Sequence, residues 1–169
     1  MRQSNIDLVA ATLKASVQPG DMVLVSPWYY GVSLQRYLPA NTWTTLPPLP
    51  ELRIHRYDLM KKQMEADTPI TPLLAGVEKA LSSGHALWVA GVFQFPPQGR
   101  PQPALPPYRG EPLDMADARY FSSWMFQISQ SVQTHAVQGG QVSVPVSENL
   151  PVNSFEDVPV LRFTGWRSQ

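Results

Sequence analysis

Apolar positions along this chain recur with two periods in turn, and the alternation predicts a series of helices and strands. Ile6, Val9, Ala10, Leu13 and Val17 repeat at the spacing of one helical face. Ser4 and Asp7 read as a capping-box-like pair at its start, and Pro19-Gly20 as its stop. Gly20-Asp21 then launches a short apolar run, Met22 to Val25, which breaks at Ser26-Pro27 and reads as a strand. Val32, Leu34 and Leu38 return to helical spacing, so a helix is expected over about residues 31–38, stopped before Pro39. The prolines of residues 41–58 deny a long strand, because each lacks a ladder donor. A short edge strand, a turn and a short helix from Leu59 to Met64 are expected there. Thr68-Pro69 offers an N-cap and a first-turn proline to the next helix, whose face is Ile70, Leu73, Leu74, Val77 and Leu81 and whose stop is Gly84.

Ala86 to Phe93 is almost uninterrupted apolar sequence, and its β-branched and aromatic content predicts a central strand covered on both faces. Residues 94–113 hold seven of the eighteen prolines and few apolar anchors, which predicts a long loop acting as a lid or mobile segment. Asp114 and Asp117 open the last helix, with Ala118, Phe121, Met125, Ile128 and Val132 as its face and Gly139-Gly140 as its end. Residues 141–146 and 158–164 alternate as a final pair of strands. The expected fold is one α/β domain spanning residues 1–169. It is a three-layer sandwich on a Rossmann-like, mostly parallel sheet with an antiparallel C-terminal pair.

Composition narrows the function classes. Thirteen basic residues balance thirteen acidic ones, which gives no electrostatic ground for a nucleic-acid partner. There is no cysteine, so thiolate chemistry, disulfides and zinc-thiolate sites are excluded. No apolar run approaches the ~20 residues that span a bilayer, so direct membrane insertion is not expected. No metal-ligand array, phosphate-binding loop or nucleophile motif is visible, and no cofactor is implied.

The candidate chemistry lies in two clusters. Ser26, Trp28, Tyr29, Tyr30 and Gly31 leave the carboxyl end of the first strand, the usual ligand position of a parallel sheet. Their rings either pack over the sheet edge or offer a platform to the C–H faces of a sugar. Arg36 and Tyr37, on the following helix, place a cation near that loop. His55, Arg56 and Asp58 bring an imidazole, a guanidinium and a carboxylate within four residues. They read either as a His/Asp pair closing a turn, with Arg56 solvated, or as an acid–base and anion-binding group. His85 and His135 sit beside helix ends and read as capping or surface residues. A catalytic alternative gives Ser26, Gly31 and Arg36 an anionic nucleotide or sugar phosphate, with His55 as acid or base. A third reading makes the Pro-rich segment 94–113 a partner-binding module.

Several of these segments, in order, resemble the C-terminal domain of certain bacterial multi-pass membrane glycosyltransferases. They are Arg2 to Asp7, Gly20 to Gly31, Arg36-Tyr37, Trp43 to Leu49, His55 to Leu59 and Leu87 to Gly91. Those enzymes belong with the protein O-mannosyltransferase-like transferases that use polyprenyl-phosphate sugars. The resemblance covers about residues 2–93, and it carries over no catalytic residue, because catalysis in that family belongs to the membrane-embedded part. It implies a non-catalytic accessory domain on the extracytoplasmic side, part of a longer chain or separately encoded. Its implied partners are the membrane part of a glycosyltransferase, or a neighbouring membrane protein, and a glycan or acceptor. A stand-alone gene product would instead be cytoplasmic.

Overall fold

The computed structural model describes residues 2–97, 100, 102–110 and 116–168. Its elements are α1 (Ile6–Ser16), β1 (Met22–Ser26), α2 (Tyr30–Leu34), a 3-10 turn (Ala40–Thr42), β2 (Thr44–Thr45), α3 (Tyr57–Glu65), α4 (Thr71–Ser82), β3 (Ala86–Gly91), α5 (Asp117–His135), β4 (Gln138–Val142) and β5 (Val160–Thr164). The five strands form one open sheet in the order β2-β1-β3-β5-β4. β1 is parallel to both β2 and β3, whereas β5 runs antiparallel to β3 and to β4.

Side chains alternate across the sheet, as the pleat requires. Leu24, Leu87, Val89 and Phe163 point into a core closed by α3, α4 and α5. Val23, Val25, Ala86, Trp88, Ala90 and Val160 point into a second core under α1 and α2. Helices therefore cover both faces, and the fold is a three-layer α/β sandwich. All six residues of β3 are buried, which matches its place at the centre of the sheet and its apolar sequence.

A buried carboxylate fixes the amino ends of the two central strands. Asp21 Oδ1 accepts the Ala86 N–H at 2.8 Å, while Oδ2 accepts the Trp88 indole N–H at 2.9 Å and the Gln18 N–H at 3.0 Å. Burial alone would raise the Asp21 pKa, but these three donors, with the charge of Arg162, hold it below the ordinary carboxyl value. At the other edge, Asn5 ties the start of α1 to the start of β5. Its amide donates to Asp157 Oδ1 at 2.7 Å and to the Val158 carbonyl at 3.1 Å, and its Oδ1 accepts the Val158 N–H at 2.8 Å.

Five expectations about the helices need correction. Asp7 does not complete a capping box: it pairs with Arg2, and the N-cap residue is Asn5. The second helix covers Tyr30–Leu34 rather than extending to residue 38. The fourth starts at Thr71, with Pro72 rather than Pro69 in its first turn, because Ile70 is drawn into the core. The last helix ends at His135, not at Gly139-Gly140, which lie inside β4. There the His135 ring stacks on Trp166 at 4.2 Å, and the Arg167 N–H caps the His135 carbonyl at 2.7 Å. Its buried face is also turned toward Tyr120 and Trp124, leaving Ala118 exposed, and Asp114 lies outside the described residues.

The described part of the Pro-rich segment is a strap rather than a lid. Tyr120 donates its hydroxyl to the Pro106 carbonyl at 2.7 Å, and the Tyr108 N–H donates to Met64 at 2.8 Å. Gln130 Nε2 donates to the Arg100 carbonyl at 3.0 Å. Tyr108 itself is buried in the core beside Tyr120, so the strap is anchored by packing as well as by hydrogen bonds. Among the described residues no helix is long and apolar enough to cross a membrane.

Candidate functional site

Strand order reverses between β1 and β3, since the chain leaves β1 to one side for β2 and returns on the other for β3. In open α/β sheets the crevice at such a switch point, outside the carboxyl ends of the strands, is the ligand position. Here that place is filled from within. Ser26 is buried, and its Oγ donates to the Val92 carbonyl at 2.7 Å while the Val92 N–H returns a bond to the Ser26 carbonyl at 2.6 Å. Gly91 has φ 114°, a conformation glycine adopts freely, and a Cβ there would overlap the Ser26 carbonyl and meet the Tyr30 ring at 2.9 Å. Gly31 is buried against Trp43. Ser26 and Gly31 are thus used for closure, and α2, at five residues, is too short to present an anion site.

What the edge presents outward is aromatic. Trp28 is only 2% exposed, and its backbone N–H donates to the Leu46 carbonyl at 3.2 Å, so the ring plugs the end of the sheet. Three rings stand around it almost perpendicular: Tyr57 at 5.3 Å, His55 at 5.8 Å and Tyr29 at 6.1 Å between centroids. Tyr30 extends the group, 5.0 Å from Tyr29. Edge-to-face contacts of this kind set a positive ring edge against a negative ring face and fix each ring's direction. Tyr29 remains 42% exposed and Tyr57 52% exposed, and His55 is exposed as well. One core tryptophan therefore holds a surface of three accessible rings drawn from two separate segments, the loop after β1 and the chain entering α3.

The charged members of the second cluster are already paired. Arg56 forms a fork onto Asp58, with Nε–Oδ1 at 2.8 Å and Nη2–Oδ2 at 2.7 Å, and this lowers the Asp58 pKa to about 2. Arg53 does the same to Glu51, again bringing the carboxyl to about 2. The expected pairing of His55 with Asp58 is not formed; the imidazole packs on Trp28 and the guanidinium takes the carboxylate. Burial raises the Tyr29 pKa, helped by Glu156, Tyr57 and Asp117, and raises that of Tyr30, helped by Tyr29 and Glu156. Both phenols are neutral hydroxyl donors in the physiological range.

The structure thus joins Trp28, Tyr29, Tyr30 and His55 into one group, with Arg56 and Asp58 beside it. Arg36 and Tyr37 lie past the end of α2, exposed, and Tyr37 makes no ring contact with the group among the described residues. Tyr57 joins the group as well; between Arg56 and Asp58, its ring is masked in the sequence by the charges on either side. Ser26 and Gly31 are buried while Arg36 is exposed beyond α2, so the three do not form a shared anion site.

A cavity of about 430 Å³ opens at the opposite, amino edge, lined by Asp21, Trp43, Lys79 and His85 among others. The Asp21 carboxylate there is committed to the strand ends, and the buried Trp43 indole N–H has no partner among the described residues. His85 reaches Asp21 only at 4.0 Å. No group of three or more His, Asp or Glu residues that could hold a metal ion occurs among the described residues. No protein-family model, curated protein or solved structure matches the chain.

Proposed function

We propose that this chain is a non-catalytic recognition domain whose aromatic edge binds the sugar rings of a glycan or glycosylated acceptor. It works beside the membrane part of a polyprenyl-phosphate-dependent glycosyltransferase, or a neighbouring membrane protein, on the extracytoplasmic side. The observation that carries this reading is the exposure of Tyr29, His55 and Tyr57 around a buried Trp28 at the switch point of the sheet. An exposed ring leaves a large apolar area in water, and a platform of several is a feature with a use. Pyranose rings present apolar C–H faces and peripheral hydroxyls, which suit flat phenols with neutral hydroxyl donors. The order of aromatic motifs along the chain supplies the link to the transferases, and the paired state of Arg56 and Asp58 argues against an acid–base role for that cluster.

The test is a glycan array probed with the labelled domain and with a Tyr29→Ala/Tyr57→Ala double variant. The reading expects a set of glycans retained by the wild-type protein and lost by the variant. If nothing is retained, and a nucleotide or sugar-phosphate panel instead raises the melting temperature, the catalytic alternative replaces it.

A further inference from the structure

β4 ends the sheet on the side away from β2, and its register shows which backbone groups face out. The Gly91 N–H donates to the Pro159 carbonyl at 2.8 Å, so Pro159, Leu161 and Phe163 turn their backbone groups toward β3. Val160, Arg162 and Thr164 turn theirs toward β4, where they meet Val142, Gly140 and Gln138. Gly139 and Gln141 are left with N–H and C=O groups directed outward, and no other strand among the described residues pairs with them. Gln138 to Gln141 are all exposed, so these groups meet only water.

Sheet edges are commonly protected by shortness, proline or charge. β2, at the opposite edge, has two residues and is soon followed by Pro47-Pro48. β4 has five residues and no proline, and no Lys, Arg, Asp or Glu occurs from Ala136 to Ser147. Arg162, the charged residue opposite Gly140 on β5, leans away from the edge onto the Trp88 ring at 5.3 Å. Gly139 and Gly140 put no side chain in the way of an approaching strand, and a Cβ on Gly140 would meet nothing within 4 Å. On the α5 face beside β4 lies a groove of about 310 Å³, whose lining includes Phe95, Val137, Gly139 and Phe163.

We infer that β4 pairs with β4 of a second copy, antiparallel about a two-fold axis at Gly140, joining two sheets into one of ten strands. Turned about that axis, Gly139 of each copy meets Gln141 of the other, and each such pair exchanges both backbone hydrogen bonds. Gly140 meets its own copy in the close, non-hydrogen-bonded position, about 4.5 Å between Cα atoms. A two-fold axis sets each residue near its like, so a charged edge would repel its copy; this uncharged edge does not. The side-chain direction of Gly139 points onto the Phe163 ring, on the α5 face. Gln141 of the second copy therefore lies on that face too, at the mouth of the groove. The pairing closes on itself, because the edges left outermost are the short β2 strands. Five residues at about 3.4 Å each make a contact of roughly 17 Å, so the dimer is weak and reversible.

Sedimentation of the intact chain over a concentration series, up to about 1 mM, tests this, with amide hydrogen exchange as a second reading. The apparent mass should rise from one chain to two and no further, and the Gly139 and Gln141 amides should exchange severalfold more slowly as the dimer fills. Gly140→Lys and Gly140→Glu, checked for folding by circular dichroism, should each stay at the mass of one chain, because like charges then oppose each other at the axis. Mixed in equal amounts, the two variants should recover the mass of two. A wild-type chain that stays monomeric throughout, a dimer that both variants keep, or growth beyond two chains overturns the proposal. Should the variants fail to fold, exchange at Gly139 and Gln141 that ignores concentration in the wild type overturns it as well.

Discussion

Truncating Trp28 to alanine removes the one ring that belongs at once to the core and to the aromatic edge. The magnitude follows from its surroundings. The side chain is 2% exposed and belongs to the larger of the two cores, with Leu46, Met60 and Val89 among its members. Replacing so buried a tryptophan with alanine costs about 3–5 kcal/mol, combining lost transfer energy with an unfilled cavity. Domain stabilities are typically about 5–15 kcal/mol, so the variant should fold but melt early. Tyr57→Ala, at a residue already 52% exposed, should cost only about 1 kcal/mol. The two changes should not add. Tyr57 meets Trp28 edge-to-face at 5.3 Å, and such pairs are worth about 0.5–1.5 kcal/mol beyond their area. Urea denaturation of the wild type, both single variants and the double variant measures all three quantities from the midpoints, provided the denaturant slope is unchanged. A loss below about 1 kcal/mol for Trp28→Ala would refute the reasoning, since it would mean that the indole is not packed as a plug.

Asp21→Asn should cost about 1–3 kcal/mol at neutral pH, because at least one of its three donors is left facing an amide N–H. The folded Asp21 pKa lies below its unfolded value, so its contribution is complete above about pH 4 and is lost as pH falls through the lower folded value; the gap between wild type and Asp21→Asn, followed by thermal melts, should close over that acidic range. Gly91→Ala should lower the melting temperature severely or prevent folding, since its positive φ and the Ser26 carbonyl both oppose a Cβ, whereas Gly140→Ala, with open space around it, should be mild. Equal effects of the two glycine substitutions would contradict the closure of the β1–β3 end.

Those local contacts also explain which parts of the structure were legible. The strands β1 and β3 and the helices α1, α4 and α5 each bury a face set by periodicity, and their sequences show it directly. Their order predicts helices on both sides of the sheet and hence three layers. The boundaries were less legible, because tertiary contacts set them. α5 stops where Arg167 and Trp166 meet His135, residues more than thirty positions away in sequence, and the glycines after it are then free to enter β4 opposite Arg162 and Phe163. The strap over α5 was equally hidden, because most of its hydrogen bonds to the domain run through backbone groups, such as the carbonyls of Arg100, Pro103 and Pro106, which carry no sequence pattern.

The site divided in the same way. A loop leaving β1 with three aromatic residues is placed by its sequence at the carboxyl edge of the sheet, since strand–loop–helix order fixes where that loop emerges. Which ring would be core and which surface depended on residues 55–57, where the chain enters α3, arriving to cover Trp28. The His55-Arg56-Tyr57-Asp58 sequence reads by charge either as a His/Asp turn with Arg56 solvated or as an acid–base and anion-binding group, yet the local geometry pairs Arg56 with Asp58 and leaves the two rings outward.

The most direct measurement of the central claim is the backbone and side-chain amide shift map of the labelled chain, recorded while a saccharide retained on the array is added. The account predicts saturable shifts clustered at residues 28–30 and 54–58, with the Trp28 indole resonance following, and their loss in the Tyr29→Ala/Tyr57→Ala variant. Saturable shifts clustered instead around Asp21, Lys79 and His85, at the opposite edge of the sheet, would contradict it.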